Sequence, residues 1–443
     1  MPLPLVAIVG RPNVGKSTLF NRIIKRKHAV VDPTPGVTRD RNYAETEWAG
    51  LKFTLVDTGG YLPAGEGDEL AEAVTTQALI AAEEADLILV IVDSRGGLTD
   101  TDHQLASIVR KNDVPTMLIA NKVDDATMLG TAWEFTSLGL GNPVTVSGMS
   151  GYMVGDMLDV VIRKLKELKP VHPDAPGADD LALAIIGAPN VGKSSLVNRL
   201  AGVERSVVSS IPGTTRDSVD AIIGYHGKRI RLIDTAGLRR KRFNEQGLDF
   251  YCTLRSLRAL DRCEVAVVLI DGEIGFTQGD IRLVNEAAGR GVGVIVAVNK
   301  WDLVEKHPKN ADEWLEKWQW KVPSLDWAPV LFISALNGRR CIKVIEEALE
   351  VKARRAVRVS TSKLNDEIMP FLQQTPPPSV KGKLVKIKYC SQVQSDPPKF
   401  AFFVNRSDLI KDAYQRFVEK KLRDTYDLKG VPITVVFRDK NKD

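Results

Sequence analysis

The feature that most constrains this chain is that it carries one set of motifs twice. GRPNVGKST beginning at Gly10 returns as GAPNVGKSS beginning at Gly187, PGVTRD around Thr38 returns as PGTTRD around Thr215, and DTGG at Asp57 returns as DTAG at Asp234, all at an offset of 177 residues. NKVD at Asn121 returns as NKWD at Asn299 at an offset of 178, so one residue has been inserted between the third and fourth motifs. Solenoid units run to roughly 20–50 residues, so a period this long is the duplication of a whole domain. The 443 residues suit about three domains of ~150 residues, which leaves room for two copies and a smaller third part.

Each copy alternates between short apolar runs and helical segments. Val6–Val9 ends in a glycine loop, and the stretch from Lys16 places Leu19, Phe20, Ile23 and Ile24 at helical spacing. Leu51–Val56, Leu87–Val92, Thr116–Ala120 and Val144–Val146 read as strands buried on both faces. Polar motifs close most of these runs, and open α/β sheets bind ligands at the carboxyl ends of their strands. The expected fold is α/β: two tandem P-loop domains, each a mostly parallel sheet with helices on both faces, over residues 1–168 and 181–357. The Pro- and Asp-rich stretch 169–180, KPVHPDAPGADD, reads as a linker. After the helical stretch Val344–Arg358, residues 358–443 read as a small α+β domain. Its predicted helices are Ser360–Gln373, stopped by Pro376–Pro378, and Leu409–Leu422; its predicted strands are Lys383–Tyr389, Phe400–Val404 and Ile433–Phe437.

The motif GxxxxGK[ST] lets successive backbone N–H groups and a helix N-terminus converge on an anion. Gly10, Asn13, Gly15, Lys16, Ser17 and Thr18 form it first; Gly187, Asn190, Gly192, Lys193, Ser194 and Ser195 form it again. The lysines suit β- and γ-phosphates, and Ser17 and Ser194 suit Mg²⁺. Asp57 and Asp234 are placed to reach that metal through water, while Gly60 and Gly237 offer an N–H to a γ-phosphate. Thr38 and Thr215 lie in loops where a threonine closes over Mg²⁺ and γ-phosphate. Catalysis is therefore assigned to Lys16, Thr38 and Gly60 in one copy and Lys193, Thr215 and Gly237 in the other.

NKxD selects the base. The carboxylates of Asp124 and Asp302 accept from guanine N1–H and the 2-amino group, donors that adenine lacks, so the nucleotide is GTP or GDP rather than ATP. Asn121 and Lys122, and Asn299 and Lys300, complete the motif. Ser334 and Ala335 read as a further guanine-contacting loop, with Ser147 and Gly148 as its less regular counterpart. Tyr61 and Leu238 stand where many signalling G proteins carry a water-orienting Gln, which predicts slow intrinsic hydrolysis. Asn13 and Asn190 fit either a ligand for a monovalent cation or a turn-stabilising Asn, and spacing alone does not separate the two.

Residues 351–443 hold 20 Lys and Arg against 10 Asp and Glu, a net +10, whereas the rest holds 41 against 46, a net −5. Such an excess fits a polyanion such as RNA, or a solvated basic face. Lys381, Lys383, Lys386 and Lys388 cluster in this segment and are the candidate RNA contacts. The four cysteines have no paired spacing and read as reduced thiols, and the five histidines show no metal-site spacing. No apolar run is long enough to span a bilayer, and the N-terminus lacks a signal-peptide pattern, so no membrane association is expected.

The duplicated GxPNVGKS, PGxTRD, DTxG and NKxD set resembles the Era-like branch of the translation-associated GTPases. Two such domains before a small basic domain are similar to the Der (EngA) family, over essentially the whole chain. PPKFAFFVN and GVPITVVFR resemble that family's C-terminal pattern, a KH-like domain without the GxxG loop; Gly382 and Gly430 are the only glycines after residue 360, so GxxG is absent here too. The resemblance implies a cytoplasmic protein, or one of an organellar stroma or matrix. It further implies a monomer that assists large-subunit assembly through nucleotide-controlled binding to rRNA or the precursor subunit. Potassium-stimulated hydrolysis, with K⁺ at Asn13 and Asn190, is implied in the same way. Competing readings are a GTPase of tRNA modification or translation, a switch without useful turnover, and a small-molecule kinase, for which two NKxD motifs have no purpose.

Overall fold

In the computed structural model, the described residues are 3–25, 43–60, 68–112, 114–168, 180–202, 220–234, 245–304, 310–321, 326–380 and 383–439. Contacts divide the chain into two compact units, one built on a first six-stranded sheet and one holding a second six-stranded sheet together with a three-stranded one.

The first sheet uses β1 (Leu5–Val9), β2 (Tyr43–Trp48), β3 (Leu51–Asp57), β4 (Leu87–Asp93), β5 (Thr116–Asn121) and β6 (Val144–Thr145) in the order β2-β3-β1-β4-β5-β6. All neighbours are parallel except β2 and β3. LVAIV of β1 and LILVIVD of β4 are buried at every position, as central strands covered on both faces must be. YAETEW of β2 buries only Tyr43 and Thr46 and occupies the edge; this polar strand carries too little apolar signal to be read from sequence. The helices are α1 (Lys16–Ile24), α2 (Asp68–Glu84), α3 (Asp100–Arg110) and α4 (Val154–Glu167). Helix α4 buries Met157, Leu158, Val161, Ile162 and Leu165 at i, i+1, i+4, i+5 and i+8, a single apolar stripe.

The second sheet repeats the plan with β7 (Leu181–Ile186), β8 (Ala221–Tyr225), β9 (Lys228–Ile233), β10 (Val265–Asp271), β11 (Gly293–Asn299) and β12 (Val330–Phe332), ordered β8-β9-β7-β10-β11-β12. The helices in this stretch of chain are α5 (Lys193–Ala201), α6 (Glu245–Leu260), α7 (Gln278–Gly289), α8 (Asn310–Lys321) and α9 (Cys341–Arg355), with the residues of α6 up to Arg255 falling in the first compact unit. Helices α3 and α7 open on the same capping box, Thr99 with Asp102 and Thr277 with Asp280, which satisfies otherwise orphaned N–H groups. Helix α8 has no α-helical counterpart in the first copy, where a 3₁₀ run covers Ala126–Leu138. Its Trp314 and Trp318 stack at 6.2 Å, with Phe276 edge-on to both at 5.3 Å.

The C-terminal domain runs α10 (Thr361–Gln374), β13 (Ile387–Ser395), β14 (Pro398–Val404), α11 (Asp412–Tyr426) and β15 (Thr434–Asp439). Strands β13 and β14 are antiparallel, β14 and β15 parallel. The expected strand over 383–389 is corrected: β13 begins at Ile387 and runs past Tyr389 to Ser395, while Lys383 pairs with Val380 in a tight antiparallel bridge ahead of it. The expected helix over 409–422 likewise starts and ends later, after a 3₁₀ turn at Ser407–Leu409.

One continuous core joins this domain to the second sheet, from Leu183 and Val267 through Val351 and Val359 to Leu364, Phe402 and Val418. The Val294 N–H donates to the Gly430 carbonyl at 2.8 Å, and the Gly430 N–H to the Trp327 carbonyl at 2.9 Å. Buried Arg355, on the last turn of α9, donates to the Glu264 carbonyl at 2.7 Å and the Gly291 carbonyl at 2.5 Å, and pairs with Asp396 at 2.7 Å.

Candidate functional site

Both phosphate loops follow a buried strand and open a helix. Lys16 Nζ donates to the carbonyls of Gly10 and Arg11 at 2.7 and 2.9 Å, and Lys193 Nζ to those of Gly187 and Ala188 at 2.9 and 2.6 Å. The ammonium thus lies across the mouth of its own loop in each copy. Burial pulls the Lys16 ammonium down to about 8, with Asp57 opposing the shift and Arg11 adding to it. Asn13 and Asn190 are exposed in the left-handed region, at φ 64 and 61. Gly15 and Gly192 close the loops at φ 93 and 98, and a Cβ there would stand 2.4 and 2.3 Å from Asn121 and Asn299. Thr18 and Ser195 are exposed on the first helical turns.

Ser17 Oγ donates to Asp57 Oδ2 at 2.5 Å. Asp57 is buried at the end of β3, and the neighbouring Thr58 hydroxyl donates to the Ile8 carbonyl of β1 at 2.8 Å. Gly60 ends the 3₁₀ turn Thr58–Gly60 that follows. The second copy differs here. Asp234 lies one residue past β9 at φ 61, and its N–H donates to Asp220, which Arg262 holds at 2.6 Å. Thr38, Tyr61, Thr215, Gly237, Leu238 and Lys381 lie outside the described residues.

On the base side the NKxD asparagine bridges two loops in each copy. Asn121 Nδ2 donates to the Val14 carbonyl at 2.7 Å while its Oδ1 accepts from Gly148 N–H at 2.9 Å; Asn299 does the same with Val191 and Ala335, both at 2.8 Å. Gly148 therefore occupies the structural place of Ala335. A Cβ at Gly148 would come within 3.1 Å of the Leu19 backbone, a tight approach, whereas the second copy carries one at Ala335. Ser147 Oγ donates to Asp124 Oδ1 at 2.6 Å, and Ser334 Oγ accepts from Asn337 N–H at 3.2 Å. A cavity of about 430 Å³ lined by Trp301, Asp302, Phe332 and Ser334 opens at the second base-side loop.

Three supports were missed by motif reading. Asp93 and Asp271, which end β4 and β10, each hold the NKxD lysine, Lys122 and Lys300, at 2.6 Å. Burial opposes ionisation of both carboxyls, yet hydrogen bonds from those lysines and from following backbone N–H groups hold them below the usual range. Arg22 and Arg199 reach from α1 and α5 to the carbonyls of the Ser147 and Ala335 loops, at 3.0 Å for Arg22 to Gly148 and 2.6 Å for Arg199 to Leu336. Arg95 pairs with Asp124. The first two supports recur at the duplication offset, which is the signal that could have found them.

Two sheets of one strand order, each joining a lysine-capped phosphate loop to a base-side NKxD turn, with an α-β-β-α-β domain appended, define a tandem G protein. Residues 5–122 and 182–300 match a family model described as a 50S ribosome-binding GTPase, and residues 358–438 one described as the KH-domain-like C-terminal part of EngA bacterial GTPase enzymes. The chain is 47% identical over 438 residues to the GTPase Der of Moorella thermoacetica, covering 99% of each. It is 44% identical over 436 residues to that of Chlorobaculum tepidum, covering 98% of this chain and 99% of the relative. Era of Aquifex aeolicus bound to GDP·AlF4⁻ superposes at a TM-score of 0.31 with 22% identity, over 59% of this chain and 93% of that one. The chain belongs to the Der family of GTPases, which act in ribosome assembly.

Proposed function

We propose that both sites bind GTP with Mg²⁺ and hydrolyse it, and that nucleotide state governs contact of the C-terminal domain with rRNA of the large ribosomal subunit or its precursor. The observation that carries this reading is the repeated geometry of the two lysines. Each ammonium is parked on two loop carbonyls where β- and γ-phosphates would replace them, and each NKxD Asn ties that loop to the base side. The Ser17 hydroxyl and Asp57 carboxylate are hard oxygen donors 2.5 Å apart, a set that suits Mg²⁺, Asp57 acting through water. Ser194 and Asp234 take those roles in the second copy, and Thr38 and Thr215 close over each metal. Bound Mg²⁺ supplies neutralisation of charge on the transferred phosphoryl group.

Lys16, Lys193 and the N–H groups of Gly60 and Gly237 hold the γ-phosphate, and Asp124 and Asp302 read guanine. Asn13 and Asn190 present exposed amides beside the loops as ligands for K⁺. The domains are 1–168, 181–357 and 358–443, joined first by 169–180, in a monomeric cytoplasmic protein; among the described residues no helix is long and apolar enough to cross a membrane. Lys383, Lys386 and Lys388 are exposed and, with Lys381, meet RNA phosphates. The test is cosedimentation with large subunits under GDP, GTP and a non-hydrolysable analogue, with phosphate release followed in K⁺ and in Na⁺. Nucleotide-dependent binding lost on charge reversal of the four lysines, with faster release in K⁺, is expected. Equal sedimentation in every state and for the lysine variant, across a salt series, would refute the RNA role.

A further inference from the structure

The first base-reading carboxylate is already engaged on both oxygens. Asp124 Oδ1 accepts from Ser147 at 2.6 Å, and Oδ2 is ion-paired with the guanidinium of Arg95. At the second site the Arg95 position is Glu273, and Asp302 Oδ1 is buried with no hydrogen-bond partner among the described residues. We propose that Arg95 is a competitive gate on base recognition at the first site, occupying the carboxylate that guanine N1–H and its 2-amino group must take over. The proposal rests on Asp124 and Asp302 reading guanine, as proposed above.

The gate is built to move only at its tip. Its backbone is fixed, since the Arg95 N–H donates to Asp93 Oδ1 at 3.0 Å, and Asp93 also holds Lys122. Its guanidinium is more than half exposed, so swinging away sacrifices little packing. Of the roughly four lone-pair sites on a carboxylate, Ser147 takes one and the two base donors need two more, so guanine crowds the guanidinium out of its present contact with Oδ2. At the second site no ion pair to Asp302 occurs among the described residues, although Arg339 and Arg340 line the same cavity; Glu273 stands at the Arg95 position.

Full-length chains carrying Asp302→Asn leave the first site as the guanine reader, and those carrying Asp124→Asn leave the second. In the first background, Arg95→Ala should tighten GDP about two- to fivefold, the range set by a solvent-exposed ion pair, and raised ionic strength should shrink that gain. Arg95→Lys should retain most of the gate. In the second background, Glu273→Arg should weaken GDP by a similar factor. ADP, which lacks the N1–H and 2-amino donors that the carboxylate reads, should respond to none of these changes. Weaker or unchanged GDP binding in Arg95→Ala would overturn the gate, since a guanidinium that stacks on the base would help rather than compete. An equal change for ADP would overturn it too, by assigning Arg95 to the phosphates. Two GDP equivalents in Asp302→Asn, before any change at Arg95, would overturn base reading itself and the gate with it.

Discussion

The two nucleotide sites share a scaffold and differ in the charges behind it. In the first, Arg11 reaches from the phosphate loop to Asp102 at 3.2 Å, so the loop is tied to the capping box of α3. In the second, Ala188 stands at the Arg11 position; Asp280 keeps its Thr277 hydrogen bonds, and no ion pair to it occurs among the described residues. Burial of Asp280 raises its carboxyl above the ordinary range, against those Thr277 bonds. The loop lysines, the bridging Asn side chains and the Asp93/Asp271 and Arg22/Arg199 supports repeat almost atom for atom, while the surroundings of Asp57 and Asp234, of Asp124 and Asp302, and of Asp102 and Asp280 have diverged. Two chemically equivalent sites can therefore differ in affinity and exchange without any change in their motifs.

The largest effects should fall where the copies agree. Gly15→Ala and Gly192→Ala each force a Cβ to within 2.4 and 2.3 Å of the bridging Asn amide, at φ values that L side chains rarely adopt. Strain of ~1–3 kcal/mol plus a disrupted bridge should weaken GDP at the altered site by about two orders of magnitude. Titration should show the other site untouched, and coupled loss at both would break the picture of two self-contained sites.

Next in size is the contrast in what each sheet leans on. The second shares its core with the C-terminal domain through Arg355, so Arg355→Ala strands two carbonyls and Asp396. A cost on the order of 2–4 kcal/mol follows from hydrogen bonds made by a charged donor. Hydrogen exchange should rise in peptides of β11, α9 and β14 and stay constant in β1, β4 and β5.

The smallest effect sharpens the Arg11–Ala188 difference. Asp280 has a raised folded pKa, so its contribution to stability is full below the unfolded value of ~3.9 and is lost as pH rises through the folded pKa. Asp280→Asn should flatten that loss in chemical denaturation of the second unit. Ala188→Arg should supply the missing partner and add about 1 kcal/mol at neutral pH, the scale of a partly exposed ion pair. Identical pH profiles for wild type and Asp280→Asn would discard this reading of the second loop.

The repeated motifs made both G domains legible, because close backbone approach to an anion and base-edge pairing demand particular residues at fixed spacing. Central strands such as LILVIVD were legible for a similar reason, since burial on both faces leaves only apolar side chains. The polar edge strand YAETEW was not, nor was the true start of β13, where the alternation of Lys383–Tyr389 imitates a strand but Lys383 pairs with Val380 in an isolated bridge instead. Arg95, Asp93 and Arg22 were invisible to motif reading because they act on other residues through tertiary proximity, and no local pattern encodes that. The unity of the second sheet with the C-terminal domain was equally hidden, since the boundary near residue 358 changes composition but not the core.

Two independent guanine-reading sites should show themselves when bound GDP is counted in wild type, Asp124→Asn, Asp302→Asn and the double variant, with ADP as the control. Two equivalents, one, one and none are expected, with no comparable binding of ADP. Either single variant binding two equivalents, with its preference for GDP over ADP unchanged, would contradict this.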